Sequence, residues 1–354
     1  MTELLLGTKK GLFALEGDPG GAFDVTARAF AGEPVEYAMR DPRTGRLVAT
    51  VTNAFYGPKI WHSDDASGEW TQADGLALPE GGDNALERIW VIAAGEGDAP
   101  LYAGGDPGVL FESRDGGASW ELNRALWEHP TRGNWQPGGG GLCLHSIVTW
   151  PGEPDRLAVA ISAAGVWLTD DRGETWRQGN GGLVADYLPE ESREGATALC
   201  VHHLERSSSR PERIYMQFHG GVYRSDDAGE TWLDIAAGLP SNFGFPLAVD
   251  PADPDSAYVI PLNADVDRVT PEGRVRVYET RDAGASWAPR GDGLPAEHAY
   301  LTVLRQAFDR HGAGDGLELY FGATSGDVFG SGDAGASWFS AAQHLPPVYS
   351  VRTA

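Results

Sequence analysis

The sequence predicts an all-β protein, a seven-bladed β-propeller built from four-stranded antiparallel blades. Three observations carry this prediction: one eight-residue motif recurs at near-constant spacing, alternating apolar runs lie between its copies, and glycine, proline and tryptophan are abundant. The 48 Gly, 23 Pro and 12 Trp among 354 residues suit many short strands that are joined by tight turns.

The recurring motif is Ser/Thr-x-Asp-x-Gly-x-x-Trp. Its copies start at positions 63, 113, 169, 225, 280 and 331, so that neighbouring copies are 50 to 56 residues apart. A repeat of this length is typical of a propeller blade. The first copy has Ser67 where the pattern has glycine, and the complete copies are Ser113–Trp120, Thr169–Trp176, Ser225–Trp232, Thr280–Trp287 and Ser331–Trp338.

Each residue type in the motif suits a tight turn between two strands. Asp and Ser/Thr side chains bond the backbone of such turns, and glycine adopts the positive φ that other residues resist. The Trp buries a large apolar area, which we expect to lie between adjacent sheets. The motif is therefore interpreted as a structural clasp and not as a source of catalytic aspartates.

Alternating apolar runs between the motifs predict four strands for each repeat. The N-terminal segment keeps two such runs but has no motif, and the C-terminal segment resembles an innermost strand. We expect the two ends to share blade 1, from about 1–32 plus 346–354, with blades 2–7 in about 33–345. The whole chain, 1–354, is then one propeller domain, and its ring has no open edge.

The charge and the termini limit the classes of partner. A formal net charge of −24 argues against nucleic acid and against anionic membrane surfaces, because both are bound through Lys and Arg. The two cysteines are too few for a disulfide framework. The first residues have neither a basic start nor a long apolar run, which predicts a cytoplasmic protein.

The motifs resemble those of the Asp-box, or BNR-repeat, propellers, and the resemblance covers the whole chain. That superfamily includes sialidases, xyloglucan-degrading glycosidases, sortilin-type receptors and photosystem II assembly factors, so the resemblance implies a fold and leaves the function open. In its sialidase-like members the motifs lie away from the active site. Strand direction also places the motifs at the bottom of the ring, and we expect a ligand pocket at the top of the axis.

A sialidase-like function would give catalytic roles to several residues of this top face. The resemblance implies three arginines that clamp a substrate carboxylate, a tyrosine nucleophile activated by a glutamate, and an aspartate as acid/base. The Arg-Ile-Pro sequence of sialidases is absent, and Glu87-Arg88-Ile89-Trp90 comes nearest to it. The candidate catalytic residues are Arg88, Arg305, Arg352, Tyr37, Tyr349, Glu36 and Asp106.

Cysteine and histidine recur together in two neighbouring blades, which provides an alternative. Cys143-x-His145 and Cys200-x-His202 align between the blades, and alternation along a strand puts each pair on one side. His219, on a nearby turn, approaches the same region. Such side chains suit zinc or copper, so His145, His202 and His219 are the candidate metal ligands.

Three hypotheses about function follow. The first is a glycoside hydrolase-like propeller with a top-face pocket for a small molecule or glycan. The second is a metal-binding propeller enzyme. The third is a non-enzymatic scaffold that docks a partner protein. The His, Arg and Trp residues at the starts of the innermost strands favour a small-molecule or glycan pocket over a flat docking face.

Overall fold

The computed structural model describes residues 1–80, 85–193 and 199–354, and it shows seven four-stranded antiparallel sheets. The innermost strand of each sheet contacts the innermost strands of its two neighbours, and the last of them contacts the first, so the sheets form a closed ring. The predicted seven-bladed propeller is therefore confirmed.

The strands are numbered in chain order. The first half of the chain contains β1 (Thr2–Thr8), β2 (Gly11–Gly17), β3 (Asp24–Ala29), β4 (Val35–Arg40), β5 (Leu47–Asn53), β6 (Gly57–Ser63), β7 (Thr71–Gln72), β8 (Arg88–Ala94), β9 (Leu101–Asp106), β10 (Val109–Ser113), β11 (Glu121–Leu122), β12 (Cys143–Trp150), β13 (Glu153–Ser162), β14 (Gly165–Thr169) and β15 (Arg177–Gln178). The second half contains β16 (Val201–Arg206), β17 (Ile214–Phe218), β18 (Gly221–Ser225), β19 (Leu233–Asp234), β20 (Gly244–Val249), β21 (Ala257–Pro261), β22 (Val277–Thr280), β23 (Ala288–Arg290), β24 (Phe308–His311), β25 (Glu318–Gly322), β26 (Val328–Ser331), β27 (Phe339–Ala342) and β28 (Val348–Thr353).

Helical structure is confined to short connections. The segments are α1 (Arg124–Trp127) and single 3₁₀ turns at Arg132–Asn134, Glu190–Ser192, Pro271–Gly273 and Gly314–Gly316. Within the described ranges, no helix has the length and apolar character needed to cross a membrane.

The two ends of the chain share one blade, as the sequence predicts. Its strand order is β28-β1-β2-β3, and β28 pairs with β1 in antiparallel register, with Leu5 opposite Arg352 and Leu6 opposite Val351. The innermost strand of this blade thus comes from the C-terminus and the other three from the N-terminus. This pairing closes the ring through backbone hydrogen bonds and leaves no sheet edge there.

The complete motifs form one kind of turn, illustrated by the turn after β14. The Asp171 carboxylate accepts hydrogen bonds from Thr175 N (2.9 Å), Thr175 Oγ1 (2.6 Å) and Thr169 Oγ1 (2.7 Å). Gly173 donates its N–H to Thr169 Oγ1 at 2.9 Å and has a φ of 83°, in the region that side chains resist. The same four bonds recur in the turns of Asp115, Asp227, Asp282 and Asp333.

The incomplete motif makes a different turn. Where Ser67 replaces the glycine, Ser63 Oγ donates instead to the carbonyl oxygens of Asp65 and Glu69, both at 2.8 Å. The loss of one glycine therefore changes the hydrogen-bond pattern while the hairpin itself is kept.

The motif tryptophans join neighbouring blades. Trp232 Nε1 donates to the carbonyl oxygen of Gly179 in the preceding blade at 2.9 Å, and Trp287 Nε1 donates to that of Ile235 at 2.7 Å. Trp120 is 1% exposed, and Trp232 belongs to an apolar cluster that contains residues of two adjacent blades. The predicted location of these side chains between the sheets is confirmed.

Most innermost strands carry a β-bulge close to their start. In β4, Val35 pairs with Val51 and Tyr37 with Thr50, so that Glu36 between them has no partner in the register. A bulge inserts one extra residue and re-aims its side chain. We call the residues at these equivalent positions the bulge ring: Glu36, Trp90, His145, His202, Phe245 and Tyr349.

Candidate functional site

The axis of the propeller opens at one end into a cavity of about 270 Å³, which we call the mouth. Innermost strands start at this end and third strands finish at the other, so the mouth and the motif turns lie on opposite faces. The cavity is small for a ligand site and suits a compact molecule. Its lining is Glu36, Arg88, Trp90, Gly140, Phe245, Arg268, Leu304, Arg305, Gln306 and Tyr349.

Arg305 enters the mouth between two members of the bulge ring. Its guanidinium carbon lies 4.5 Å from the ring centroid of Phe245 and 5.9 Å from that of Trp90. Its Nε is buried and has no hydrogen-bond partner in the part of the chain that the structure describes. Burial lowers the pKa of Arg305, and the groups that act in the opposite direction are the thiols of Cys200 and Cys143. A buried donor left without a partner costs about 1–3 kcal/mol, so Arg305 is poised to receive an acceptor.

Two further arginines reach the same cavity. Arg88 lies over the ring of Trp90 at 4.7 Å and forms an ion pair with Glu36 at 3.3 Å. Arg268 lies over Phe245 at 5.4 Å, and its Nε donates to the carbonyl oxygen of Asp265 at 2.9 Å. The mouth therefore carries three guanidinium groups and one carboxylate in a chain whose net charge is −24.

Glu36 and Tyr349 interact on one side of the mouth. Burial raises the pKa of Glu36, while the positive charge of Arg88 opposes that shift. Burial and the charge of Glu36 together raise the pKa of Tyr349, and Arg88 again opposes them. A carboxylate and a phenol thus face one cation in a single cavity, as the sequence analysis expects for Glu36, Tyr349 and Arg88.

Arg352 and Tyr37 lie deeper along the axis, in a second cavity of about 170 Å³. Arg352 Nε donates to Tyr37 Oη at 2.6 Å, and Arg352 Nη2 donates to Gln306 Oε1. Gln306 Nε2 in turn donates to His145 O at 2.6 Å, which places a hydrogen-bonded floor between the two cavities. Arg88 and Arg305 therefore line the mouth, but Arg352 is hydrogen-bonded to Tyr37 and Gln306 in the lower cavity. This corrects the expectation that Arg88, Arg305 and Arg352 together bind one carboxylate.

Asp106 lies beside the mouth under the glycine-rich connection that precedes β12. Its Oδ2 is 3.7 Å from Cys143 Sγ, and it lies so close to Gly141 that a Cβ there would collide with it. Burial raises the pKa of Asp106. Gly138 and Gly141 bond each other at 3.0 and 3.1 Å, and Gly140 between them lines the mouth. The connection therefore forms a wall of the mouth and covers Asp106.

The predicted histidine cluster forms only in part. The rings of His202 and His219 lie 5.3 Å apart, and Cys200 joins them as a third potential ligand. His145 is fully buried, and its Nε2 is occupied by Ser162 Oγ at 2.8 Å and Val201 O at 2.7 Å. His145 is therefore corrected from a candidate ligand to a buried residue with satisfied hydrogen bonds.

A larger polar cavity of about 580 Å³ lies away from the axis, and it contrasts with the mouth. Its arginines have carboxylate partners: Arg114 pairs with Glu112 at 3.5 Å, and Arg172 pairs with Asp98 at 3.2 Å. Because these charges are already balanced, the cavity holds no cation in need of a counter-ion. The unpaired Arg305 distinguishes the mouth as the candidate functional site.

Arg268 and Phe245 belong to the site but were not among the sequence-predicted catalytic residues. Arg268 lies in the long connection after β21, where no strand pattern indicates its direction. Phe245 stands at the bulge position of β20, equivalent to Glu36 and Trp90. Aligning the starts of all innermost strands is the signal that finds Phe245 from the sequence.

No family model matches this chain, and a curated protein is similar to part of its sequence. The oligoxyloglucan-reducing end-specific xyloglucanase of Emericella nidulans is 22% identical in an alignment 305 residues long, which covers 80% of this chain and 31% of that enzyme. The chain thus spans about a third of the length of this relative.

Solved structures share the propeller fold. The periplasmic gluconolactonase of Pseudomonas aeruginosa superposes with a TM-score of 0.63 at 15% identity, over 99% of this chain and 98% of that one. An ancestral glycoside hydrolase family 74 enzyme superposes with a TM-score of 0.59 at 16% identity, over 90% of this chain and 38% of that one. At these identities the likeness concerns the fold, and the chemistry of the mouth has to be argued from its own residues.

Proposed function

We propose that this chain is an Asp-box propeller of the glycoside hydrolase-like kind, whose mouth binds a compact sugar derivative that carries a carboxylate. The observation that carries the proposal is Arg305, a guanidinium held between two aromatic rings with an unpartnered buried Nε. A carboxylate supplies two acceptor oxygens, and the fork of an arginine suits them. The remote likeness to a xyloglucanase supports a sugar-related ligand.

The charge of the mouth favours an anionic over a neutral sugar. Arg88 has Glu36 as a counter-ion, whereas Arg305 has no described carboxylate partner and Arg268 is bonded to a backbone carbonyl. A neutral glycan would leave the desolvated charge of Arg305 unbalanced. The partly exposed side chains of Trp90 and Tyr349 line the mouth and offer aromatic surface to a sugar ring.

For catalysis, the proposal assigns Tyr349 as nucleophile and Glu36 as the base that accepts its proton. Both side chains line the mouth; burial and the charge of Glu36 raise the pKa of Tyr349, and Arg88 acts on the pKa of both in the opposite direction. Of the two tyrosines considered, Tyr349 is preferred because Tyr37 is hydrogen-bonded to Arg352 in the lower cavity. For the acid that protonates the leaving group, the proposal keeps Asp106, whose pKa burial raises and which lies beside the mouth without lining it.

The binding proposal is tested by calorimetry with matched pairs of sugars, such as glucuronate with glucose and galacturonate with galactose. We expect the acid of at least one pair to bind and its neutral partner to bind about tenfold to a hundredfold more weakly, because a hydrogen bond to a charged group contributes about 1.5–3 kcal/mol. Arg305→Ala should remove this preference. Arg124→Ala, which removes an exposed arginine of the larger cavity, is the matched control.

Catalysis is tested separately with fluorogenic sialosides and uronides. Tyr349→Phe and Glu36→Gln should abolish turnover while binding of the acid sugar persists. Background rates for the whole panel in a protein that binds acid sugars would refute the catalytic assignment and leave a binding protein. Equal affinity for the acid and neutral sugars of every pair would refute the anionic ligand.

A further inference from the structure

A sulfur and two imidazole nitrogens converge in the fifth blade, outside the mouth. Cys200 immediately precedes β16, His202 lies within it, and His219 lies in the turn between β17 and β18. One potential ligand atom from each side chain lies within 4.8 Å of the other two. Cys200 and His202 are buried, and His219 is 24% exposed, so among the described residues the group opens to solvent on the His219 side.

The backbone orients His202 toward this group. Val201 pairs with Phe218 and His203 with Gln217, so His202 is the bulged residue of β16. Its Nδ1 lies 2.6 Å from the carbonyl oxygen of Gly244 and donates its proton there. The Nε2 of this tautomer carries a free lone pair. Metal-binding histidines characteristically fix their second ring nitrogen in this way, by donation to a carbonyl or a carboxylate.

We propose that Cys200, His202 and His219 bind a zinc ion, at a site that shares no ligand with the mouth but lies within electrostatic reach of Arg305. Zinc takes thiolate and imidazole ligands at about 2.0–2.3 Å, so a tetrahedral site needs ligand atoms about 3.5 Å apart. The three ligand atoms, which lie within 4.8 Å of one another, would therefore move closer by about 1 Å around the ion.

Protonation states in the metal-free protein are compatible with this site. Burial lowers the pKa of both His202 and His219, which keeps the imidazoles in the neutral form that binds metal. Burial raises the pKa of Cys200, so the thiol holds its proton until the ion replaces it. Zinc binding therefore releases about one proton per ion near neutral pH.

The fourth coordination position faces the solvent-exposed side of His219. Asp265 lies there, with Oδ2 3.9 Å from His219 Nε2, and it is half exposed. Water would complete the tetrahedron, and Asp265 stands near enough to accept a hydrogen bond from it. His202 also packs on Phe245, with ring centroids 4.9 Å apart, and Phe245 is a wall of the mouth. The zinc site thus shares one aromatic side chain with the mouth and no ligand.

The test uses the full chain without a histidine tag, stripped with chelator, mixed with zinc and desalted. Elemental analysis should give about one zinc per chain, and Cys200→Ser and His219→Gln should each reduce it below about 0.1. Cys143→Ser is the matched control, because it stands at the aligned position of the preceding blade and contacts Asp106 and Gly140 instead. Cobalt added in place of zinc should give thiolate charge-transfer absorption in the wild type and none in Cys200→Ser.

The outcomes separate cleanly. Less than about 0.1 zinc in the wild type would overturn the site, as would full zinc binding by both the Cys200 and the His219 variants. Circular dichroism identifies a variant that has failed to fold. If Cys200→Ser does not fold, the zinc content of His219→Gln, whose substitution is on a partly exposed turn, tests the site by itself. Loss of sugar-acid binding with zinc binding intact would refute the mouth and not this site.

Discussion

Arg305 is the arginine that we assign to ligand binding, and Arg213 is a buried arginine whose role is structural, so substitutions at the two positions can be compared. Arg213 is 7% exposed, and its Nε donates to Asp226 at 2.6 Å while Nη1 donates to Asp255. Arg305 has aromatic neighbours and an unpartnered Nε. The perturbation is substitution of each by methionine, which keeps the length of the side chain and removes the charge.

The magnitudes follow from these contacts. Arg305→Met removes an unsatisfied donor that costs about 1–3 kcal/mol, and it loses two contacts with aromatic rings that contribute about 0.5–1 kcal/mol each. The two effects nearly cancel, so the free energy of unfolding should change by less than about 1 kcal/mol. Arg213→Met loses hydrogen bonds between charged groups and should destabilise the protein by about 1.5–3 kcal/mol.

Urea denaturation followed by tryptophan fluorescence measures both changes, and calorimetry with the acid sugar measures binding. Arg305→Met should unfold at nearly the wild-type urea concentration and bind no acid sugar. Arg213→Met should unfold earlier and, while folded, bind normally. If Arg305→Met destabilises the protein as much as Arg213→Met does, Arg305 is a structural residue and the argument for a ligand site is refuted.

Three further predictions concern pH and packing. Ionised Glu36 neutralises Arg88 and repels an anion. The affinity for the acid sugar, measured by calorimetry, should therefore fall as the pH rises through the raised pKa of Glu36. The Glu36→Gln variant should show no such fall. Hydrogen bonds from Thr175 lower the pKa of Asp171, so the contribution of its carboxylate to stability is complete above about pH 4 and is lost as the pH falls further. Acid unfolding followed by circular dichroism should therefore be less steep for Asp171→Asn than for the wild type. An equally steep transition would contradict this. Trp120→Ala should lower the free energy of unfolding by about 3–5 kcal/mol in urea, and Trp70→Ala, in the incomplete motif and only partly buried, should lower it less.

The fold was predictable because its determinants are local and repeated. Each complete motif fixes its own turn through four hydrogen bonds among residues at most six positions apart, as in Thr169–Thr175. The spacing of the motifs then counts the blades. The closing strand was predictable as well, because the segment that ends at Val351 has the pattern of an innermost strand.

The site was predictable only in part, because its residues are brought together by the ring. Arg88, Arg305, Glu36 and Tyr349 were placed at the mouth by strand direction alone, and they line it. Arg352 was expected there too, but depth along the axis depends on the register of each innermost strand. Strand periodicity does not give that register, and the bulge at Tyr349 changes it.

A similar reason explains why His145 does not join the other two predicted histidine ligands, His202 and His219. His145 and His202 occupy equivalent positions in adjacent blades, so the sequence treats them alike. In the fold, the Val201 carbonyl oxygen and Ser162 Oγ lie close enough to occupy His145 Nε2, whereas His202 bonds the Gly244 carbonyl oxygen through Nδ1. Both carbonyl oxygens come from the next blade, so the pattern within one blade does not by itself show which ring nitrogen stays free.

The central claim is that the mouth holds a ligand carboxylate on Arg305, and a crystal structure of the complex with the tightest-binding acid sugar tests it most directly. We expect one carboxylate oxygen within about 3 Å of Arg305 Nε, with the sugar ring in the mouth beside Trp90 and Tyr349. A sugar bound outside the mouth, or bound in it with the carboxylate turned toward solvent and Arg305 Nε still unpartnered, would contradict the account.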